Sequence, residues 1–305
     1  MVLNQINIMN NFSASYEKIL RTLQMVETKS NFLNQHRRPK LSDVELIALS
    51  LTAEFLSVDS EYQLFRVMPD YLKEKIERSV YNRRRRGLFF HIERLRKRLA
   101  QQVSLESEYF IVDSMPLEVC KLSRSSRSSI CKENYDSAPD KGYCASQQAY
   151  YYGYKIHAVC SLNGVIHNFD LSKASVHDIH YLKDVKELHR DCVLLGDRGY
   201  LSAECQLDLF ESARITLEVP MRRNQHGYRP QFSLFRRCRK RIETLFSQLC
   251  DQFMIRRNYT KTFDGFKTRI LAKLMALTTI QLINKLNNRN INNLKTTTAY
   301  LCDES

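Results

Sequence analysis

The sequence predicts an α/β protein in which a mixed sheet follows a helical region, and three features point to it. From Tyr16 to Ala100 apolar residues recur at helical spacing, with no alternating strand pattern of useful length. From Glu108 onward short β-branched and aromatic runs alternate with helical stretches, the signature of a mixed α/β layer. The last third returns to helical periodicity. The expected boundaries are 1–107 for the helical region, 108–289 for the mixed-sheet region and 290–305 for a flexible tail.

In the helical region, Ser42 stands three residues before Glu45, the Ser-x-x-Glu pattern of a capping box, and opens an apolar helix over 46–55. Pro69 interrupts the next helical stretch. Residues 83–98 carry Arg83, Arg84, Arg85, Arg86, Arg94, Arg96, Lys97 and Arg98 against the single acid Glu93, so this face should meet either phosphate or water. Residues 41–66 have room for a helix-turn-helix, although nothing singles out a recognition helix.

The run YFIVDSMPLEVC reads as a buried strand ended by Pro116. Residues 122–148 are Ser-rich and basic, and read as a surface loop or a partly disordered insertion. Strands at 151–162 and 165–171 flank an Asn163-Gly164 hairpin turn. A helix over 177–188, a strand CVLLGD ending at Asp197, a helix over 202–212 and a strand ITLEVP complete the alternation. Further on, Ile242, Leu245, Phe246, Leu249 and Phe253 mark one apolar stripe, and Phe266, Ile270, Leu274 and Leu277 another. The Asn- and Thr-rich end after Lys285 is expected to fray.

A chain of 305 residues with 43% hydrophobic content has enough apolar mass for one large core and a smaller one. Its 47 Lys and Arg against 33 Asp and Glu give a formal charge of +14, which attracts polyanions and favours nucleic acid as a partner without separating DNA from RNA. No stretch has the apolar length of a membrane span, and the start lacks the features of a signal peptide, so a cytoplasmic protein is expected. Nine scattered cysteines with no C-x-x-C pair argue against a disulfide framework and read as small core residues. Cys131, Cys144 and His157 match no zinc-ligand spacing.

Asp113 closes the apolar run Phe110, Ile111, Val112, and Asp197 closes Val193, Leu194, Leu195, Gly196. Two strands thus each deliver a carboxylate at the carboxyl end, where open sheets place ligand sites. An acid in such a setting is costly unless paired or bound to metal. Glu243 sits on the margin of the stripe begun by Ile242, with Arg239 one helical turn before it, and so has reach to the strand ends. Three gathered carboxylates would suit a pair of Mg²⁺ or Mn²⁺ ions and an in-line phosphoryl displacement. Taken singly, each acid reads equally well as a solvated or capping group. Residues 222–241, just before Glu243, hold eight Lys and Arg and no acid, which favours phosphate contact over a merely solvated face.

The segments FIVDSMPLEVC, YYGYKIHAVCS, ASVHDIHYL, LLGDRGYLS and RKRIETLFSQLCDQFMIRRNY resemble the transposases of the 982 family of bacterial insertion sequences, and the likeness continues through RRPKLSDVELIALSLTAEFLSVDSE and FDGFKTRILAKLMALT. The resemblance implies a ribonuclease H-like mixed-sheet catalytic domain preceded by a helical DNA-binding domain, a two-metal site and recognition of terminal inverted repeats. Its three acidic positions fall on Asp113, Asp197 and Glu243. It also implies double-stranded DNA as partner, a homodimer that synapses two ends, and a place near the bacterial nucleoid. Candidate DNA-contacting residues are Arg239, Lys240, Arg236, Arg222, Arg223, Lys155, Arg198 and His177. Related families carry Tyr, Arg and Lys at fixed offsets around the Glu; Arg239 matches the Arg, whereas Arg236 and Cys250 occupy the other two positions. His177 and Asp178 resemble a His-Asp pair common between the two aspartates, and read equally as helix caps. Tyr150, Tyr151, Tyr152 and Tyr154 with Lys155 suit either base stacking or strand packing. Two alternatives stay open: a DNA-binding protein without catalysis, and a nuclease that cuts without strand transfer.

Overall fold

The computed structural model describes residues 2–104, 107–222, 224 and 228–294, with side chains from residue 11 onward. In chain order, helices α1 (Val2–Val26), α2 (Asp43–Phe55), α3 (Glu61–Val67), α4 (Asp70–Lys73), α5 (Arg78–Gly87) and α6 (Phe89–Val103) come first. Strands β1 (Tyr109–Cys120), β2 (Asp140–Cys144), β3 (Ala149–Ser161) and β4 (Ile166–Lys173) follow, then α7 (Leu182–Leu188), β5 (Cys192–Leu195), α8 (Ala203–Ala213) and β6 (Ile215–Glu218). Helices α9 (Ser233–Asp251) and α10 (Phe263–Leu286) end the fold. These elements make two compact units: Met1–Val103 with Leu249–Ser305, and Ser104–Gln248.

The sequence-based division, with one region running over 108–289, differs from this at its carboxyl end, because α10 packs on α1, α2, α5 and α6. Its stripe of Phe266, Ile270, Leu274 and Leu277 is buried as expected, but so are Thr268, Lys273, Thr278, Thr279, Gln281 and Asn284 on its other faces. A helix surrounded by helices has no solvent side. Its threonines satisfy their hydroxyls on carbonyls one turn back, as in Thr278 Oγ1 to Leu274 O at 3.0 Å. Lys273 donates to the Glu54 carboxylate and to Phe253 O. The expected fraying after Lys285 is also corrected: Asn284 donates to Ile291 O and Asn293 O, and Leu294 is buried. Residues 295–305 of the expected tail lie outside the described residues.

The capping box forms at α2, where the Ser42 side chain accepts from Glu45 N and the Glu45 side chain accepts from Ser42 N. The basic run is not one solvated face. Arg84 is buried against Asp43 at 2.6 Å, Arg85 pairs with Glu61 at 3.1 Å, and Arg96 pairs with Glu93 at 2.7 Å. The fully buried Asp43 also accepts the backbone N–H groups of Phe32 and Leu33, so its charge is satisfied by several donors.

In the second unit the sheet order is β2-β3-β1-β5-β6, with β4 also paired to β3. Strand β3 runs antiparallel to both β1 and β4, whereas β5 runs parallel to β1 and β6 parallel to β5. The turn between β3 and β4 holds Gly164 at φ 88°, as the Asn-Gly pair demands. Val112, Val159, Leu194, Ile215 and Leu217 make one sheet face of a core shared with Tyr181, Leu182, Val185, Leu209 and Ala213 from the α7 and α8 segments. Pro116 does not end β1, which continues to Cys120. Pairing of β1 with β5 stops at Ile111, so Pro116 lies where β1 has only β3 beside it, and its missing N–H breaks no ladder on the other edge. The Ser-rich stretch is corrected likewise: it contains β2, and the Tyr154 hydroxyl donates to Ser137 O at 2.6 Å.

Candidate active site

Side chains alternate across a strand, so Val112 enters the core under α7 and α8 while Asp113 projects from the opposite face of β1. Helix α9 acts on that face: Tyr109 meets Phe235 at 6.2 Å between ring centroids, and Asp113 feels the charges of Arg239 and Glu243. Asp197 lies two residues past β5, beside β1 in the sheet, and its Oδ1 accepts from Gly199 N at 2.8 Å. The three sequence-selected carboxylates therefore share one electrostatic environment.

Its mark is on Asp113, whose carboxyl is pushed from 3.8 up to about 7. Desolvation is the main cause, and repulsion by Asp197 and Glu243 adds to it. A bond from Ser114 N at 2.8 Å and the Arg239 guanidinium pull the other way. Glu243 is exposed on α9. The expectation that both aspartates end strands is corrected for Asp113, which stands within β1 because that strand runs on to Cys120, whereas Asp197 does lie just past β5. Carboxylate oxygens that repel one another suit a hard divalent cation such as Mg²⁺ or Mn²⁺. Among the described residues, however, no group of three or more His, Cys, Asp and Glu side chains is set as a ready-made metal site.

The remaining candidates divide. Arg239 is half-buried near Asp113, and Lys240 and Arg236 are exposed on α9. Arg222 and Arg198 are exposed, while Arg223 lies outside the described residues. Lys155 is not an open cation: its Nζ donates to Asp178 Oδ1 at 2.9 Å and to Val176 O at 2.8 Å. His177 caps the 3-10 turn Asp178–Tyr181, its Nδ1 accepting from Ile179 N, which is the capping alternative rather than a free imidazole. Cys250, at the position where related families hold a Lys, is half-buried.

One group escaped the sequence reading, and another, His157, entered it only as a rejected zinc ligand. Tyr200, fully buried just after Asp197, has its phenol driven well above the ordinary value by burial and by the nearby Asp178, Asp113 and Asp197. Adjacency to the LLGD strand end was the available signal. His157 is buried, bonds the Ser172 hydroxyl at 2.7 Å and stacks on Tyr181 at 5.1 Å. Burial holds it neutral, with its titration lowered to about 4. Of the tyrosine cluster, Tyr151, Tyr152 and Tyr154 are buried by strand packing, and Tyr150 is exposed.

Comparison with known protein families gives a match over residues 105–279, more than half of the chain, to the family described as Transposase DDE domain. The matched span includes Asp113, Asp197 and Glu243. No curated protein and no solved structure matches.

Proposed function

This chain belongs to the transposase DDE domain family, and from that premise we propose that Asp113, Asp197 and Glu243 are its catalytic carboxylates. The observation that carries the reading is that Asp113, its titration raised chiefly by burial, is also raised by repulsion from Asp197 and Glu243, three acids from separate elements of one unit. The proposed substrate is double-stranded DNA bearing terminal inverted repeats, as in the 982 family of insertion sequences. The proposed chemistry is cleavage followed by strand transfer. The sheet order, with three antiparallel strands leading into two parallel ones, supports a ribonuclease H-like reading of the second unit.

Asp113, Asp197 and Glu243 would hold one or two divalent ions, which when bound supply Lewis-acid stabilisation of a phosphate oxygen and activation of the attacking water or 3′ hydroxyl. The protein's own part is positional. The bond from Gly199 N fixes the Asp197 carboxylate, and that from Ser114 N fixes Asp113. Arg239 sets a positive charge beside the acids that favours a bound phosphate. Exposed Arg236 and Lys240 extend the positive face of α9 along which a DNA backbone would run. The helical unit is proposed to bind the element end, and a homodimer to synapse two ends near the nucleoid. Among the described residues no helix is long and apolar enough to cross a membrane.

The test is cleavage of a labelled duplex carrying the native element end, with and without Mg²⁺, by the unaltered protein and by Asp113→Asn, Asp197→Asn and Glu243→Gln. Metal-dependent nicking at the end, lost in each variant while duplex binding persists, supports the reading. Binding without cleavage in the unaltered protein would replace it with a non-catalytic DNA-binding role.

A further inference from the structure

A cavity of about 320 Å³ opens within the helical unit between α2, α3, α5 and the start of α10. That volume is in the range of small-ligand sites. Its wall carries five cations, Arg78, Arg85, Arg86, Lys261 and Arg269, against two carboxylates, Glu54 and Glu61. Both acids are already engaged. Glu61 faces Arg85 at 3.1 Å, and Glu54 faces Lys273 and, at 3.4 Å, Arg269. Among the described residues, Arg78, Arg86 and Lys261 take part in no salt bridge, so the surplus charge is positive and stands at the rim.

Two tyrosines accompany these cations. Tyr62 and Tyr259 line the same cavity and are 62% and 66% exposed, so their rings are accessible to a ligand. The Arg78 guanidinium lies 4.1 Å from the centroid of the Tyr62 ring, steadying a stacking platform. The floor is apolar, from Ala53, Val58 and Leu64. Lys261 precedes Thr262, the N-cap of the 24-residue α10, so the first-turn amides add to the preference for an anion. Cations at the rim, exposed rings and an apolar floor fit a flat base with a phosphate attached. A duplex backbone needs an open basic face rather than a cavity of this size.

We propose that this cavity binds one unpaired nucleotide of a DNA strand, its base stacked on Tyr62 and Tyr259 and its phosphate held by Arg78 and Lys261. The proposal rests on DNA being the substrate, and it assigns the helical unit a contact with single-stranded DNA at the processed end. Aromatic stacking is tolerant of sequence, so the site reads the absence of pairing rather than the identity of the base.

The experiment uses the full chain in chelator, with fluorescence anisotropy of a 5′-phosphorylated thymidine tetranucleotide and of a blunt duplex. The double variant Tyr62→Ala, Tyr259→Ala and, separately, Arg78→Ala, Lys261→Ala are compared with the unaltered protein, with thermal unfolding as the check on folding. The expected result is a loss of tetranucleotide affinity of about tenfold or more in the tyrosine variant, with duplex affinity changed less than about twofold. Equal losses on both probes, or unchanged tetranucleotide binding, overturn the proposal.

Competition identifies the source. Displacement by free thymidine monophosphate supports the site as one for free nucleotides too, and tyrosine-dependent tetranucleotide binding that the mononucleotide does not displace supports a strand ligand alone. Inorganic phosphate displacing as well as the mononucleotide overturns the stacked base. If the cavity variants bind normally while Asp113-dependent cleavage persists, this inference fails and the transposase chemistry stands. If the unaltered protein binds neither probe, the DNA reading fails and takes this inference with it.

Discussion

Replacing Asp113 by asparagine is expected to abolish cleavage and yet make the metal-free protein more stable at alkaline pH. The unfolded carboxyl ionises near the ordinary value of 3.8, the folded one near 7. Between those values the folded protein binds a proton that the unfolded chain does not. Stability from this group is therefore full below about pH 4 and is lost as pH rises towards 7. At about 1.4 kcal/mol per pH unit, the whole loss is about 4 kcal/mol, and about 3 kcal/mol of it falls between pH 5 and pH 8. Asparagine keeps the side-chain shape and cannot ionise, so the loss disappears, along with the repulsion from Asp197 and Glu243. Urea denaturation in chelator at the two pH values gives the difference directly: the stability gap between Asp113→Asn and the unaltered protein should widen by up to about 3 kcal/mol at the higher pH. Adding Mg²⁺ at the higher pH should stabilise the unaltered protein and leave the variant unmoved. A gap that stays constant or shrinks as pH rises would refute the claim that Asp113 is destabilised by burial among acids.

Three further substitutions probe other links. A Cβ at Gly199 would lie 2.9 Å from Asp197 Oδ1, so Gly199→Ala should displace the carboxylate and lower the cleavage rate by about tenfold or more, with little change in thermal midpoint; steady-state kinetics and calorimetry separate the two effects. Glu54→Ala leaves Lys273 and Arg269 buried without their carboxylate and should cost about 3–5 kcal/mol in urea denaturation. Ser42→Ala removes one half of the α2 capping box and should cost about 1 kcal/mol by the same measurement, a loss that Ser42→Asp should largely avoid.

The elements that sequence made legible are those whose burial follows a local period. The stripe Ile242, Leu245, Phe246, Leu249, Phe253 is buried throughout, and the capping box forms from residues three apart. Elements set by distant partners were not legible. Strand β2 has the composition of a turn, with Asp140 and Gly142. It is a strand because β3 offers it an edge, and Gly142 is needed because a Cβ there would come within 2.4 Å of Ala174 O. Lys273 looks like the polar face of α10 until Glu54, 219 residues away, is seen beside it. Arg84 and Arg85 look like a phosphate-binding run until Asp43 and Glu61 take them inward.

The same reasoning explains why the candidate site was partly legible. Asp113 and Asp197 stand out because each ends an apolar run where a charge is costly, and Glu243 because it interrupts a basic helix. Their supporting groups carry no such local contrast. Lys155 sits in a strand of ordinary composition, and its pairing with Asp178 is a contact across 23 residues that withdraws it from the set of open cations. Tyr200 reads as one more aromatic residue until the fold buries its hydroxyl near three aspartates. A charge whose cost the local sequence cannot explain is therefore the usable signal for the chemistry, whereas the residues that hold that charge in place emerge only from the register of β1 with β3 and β5.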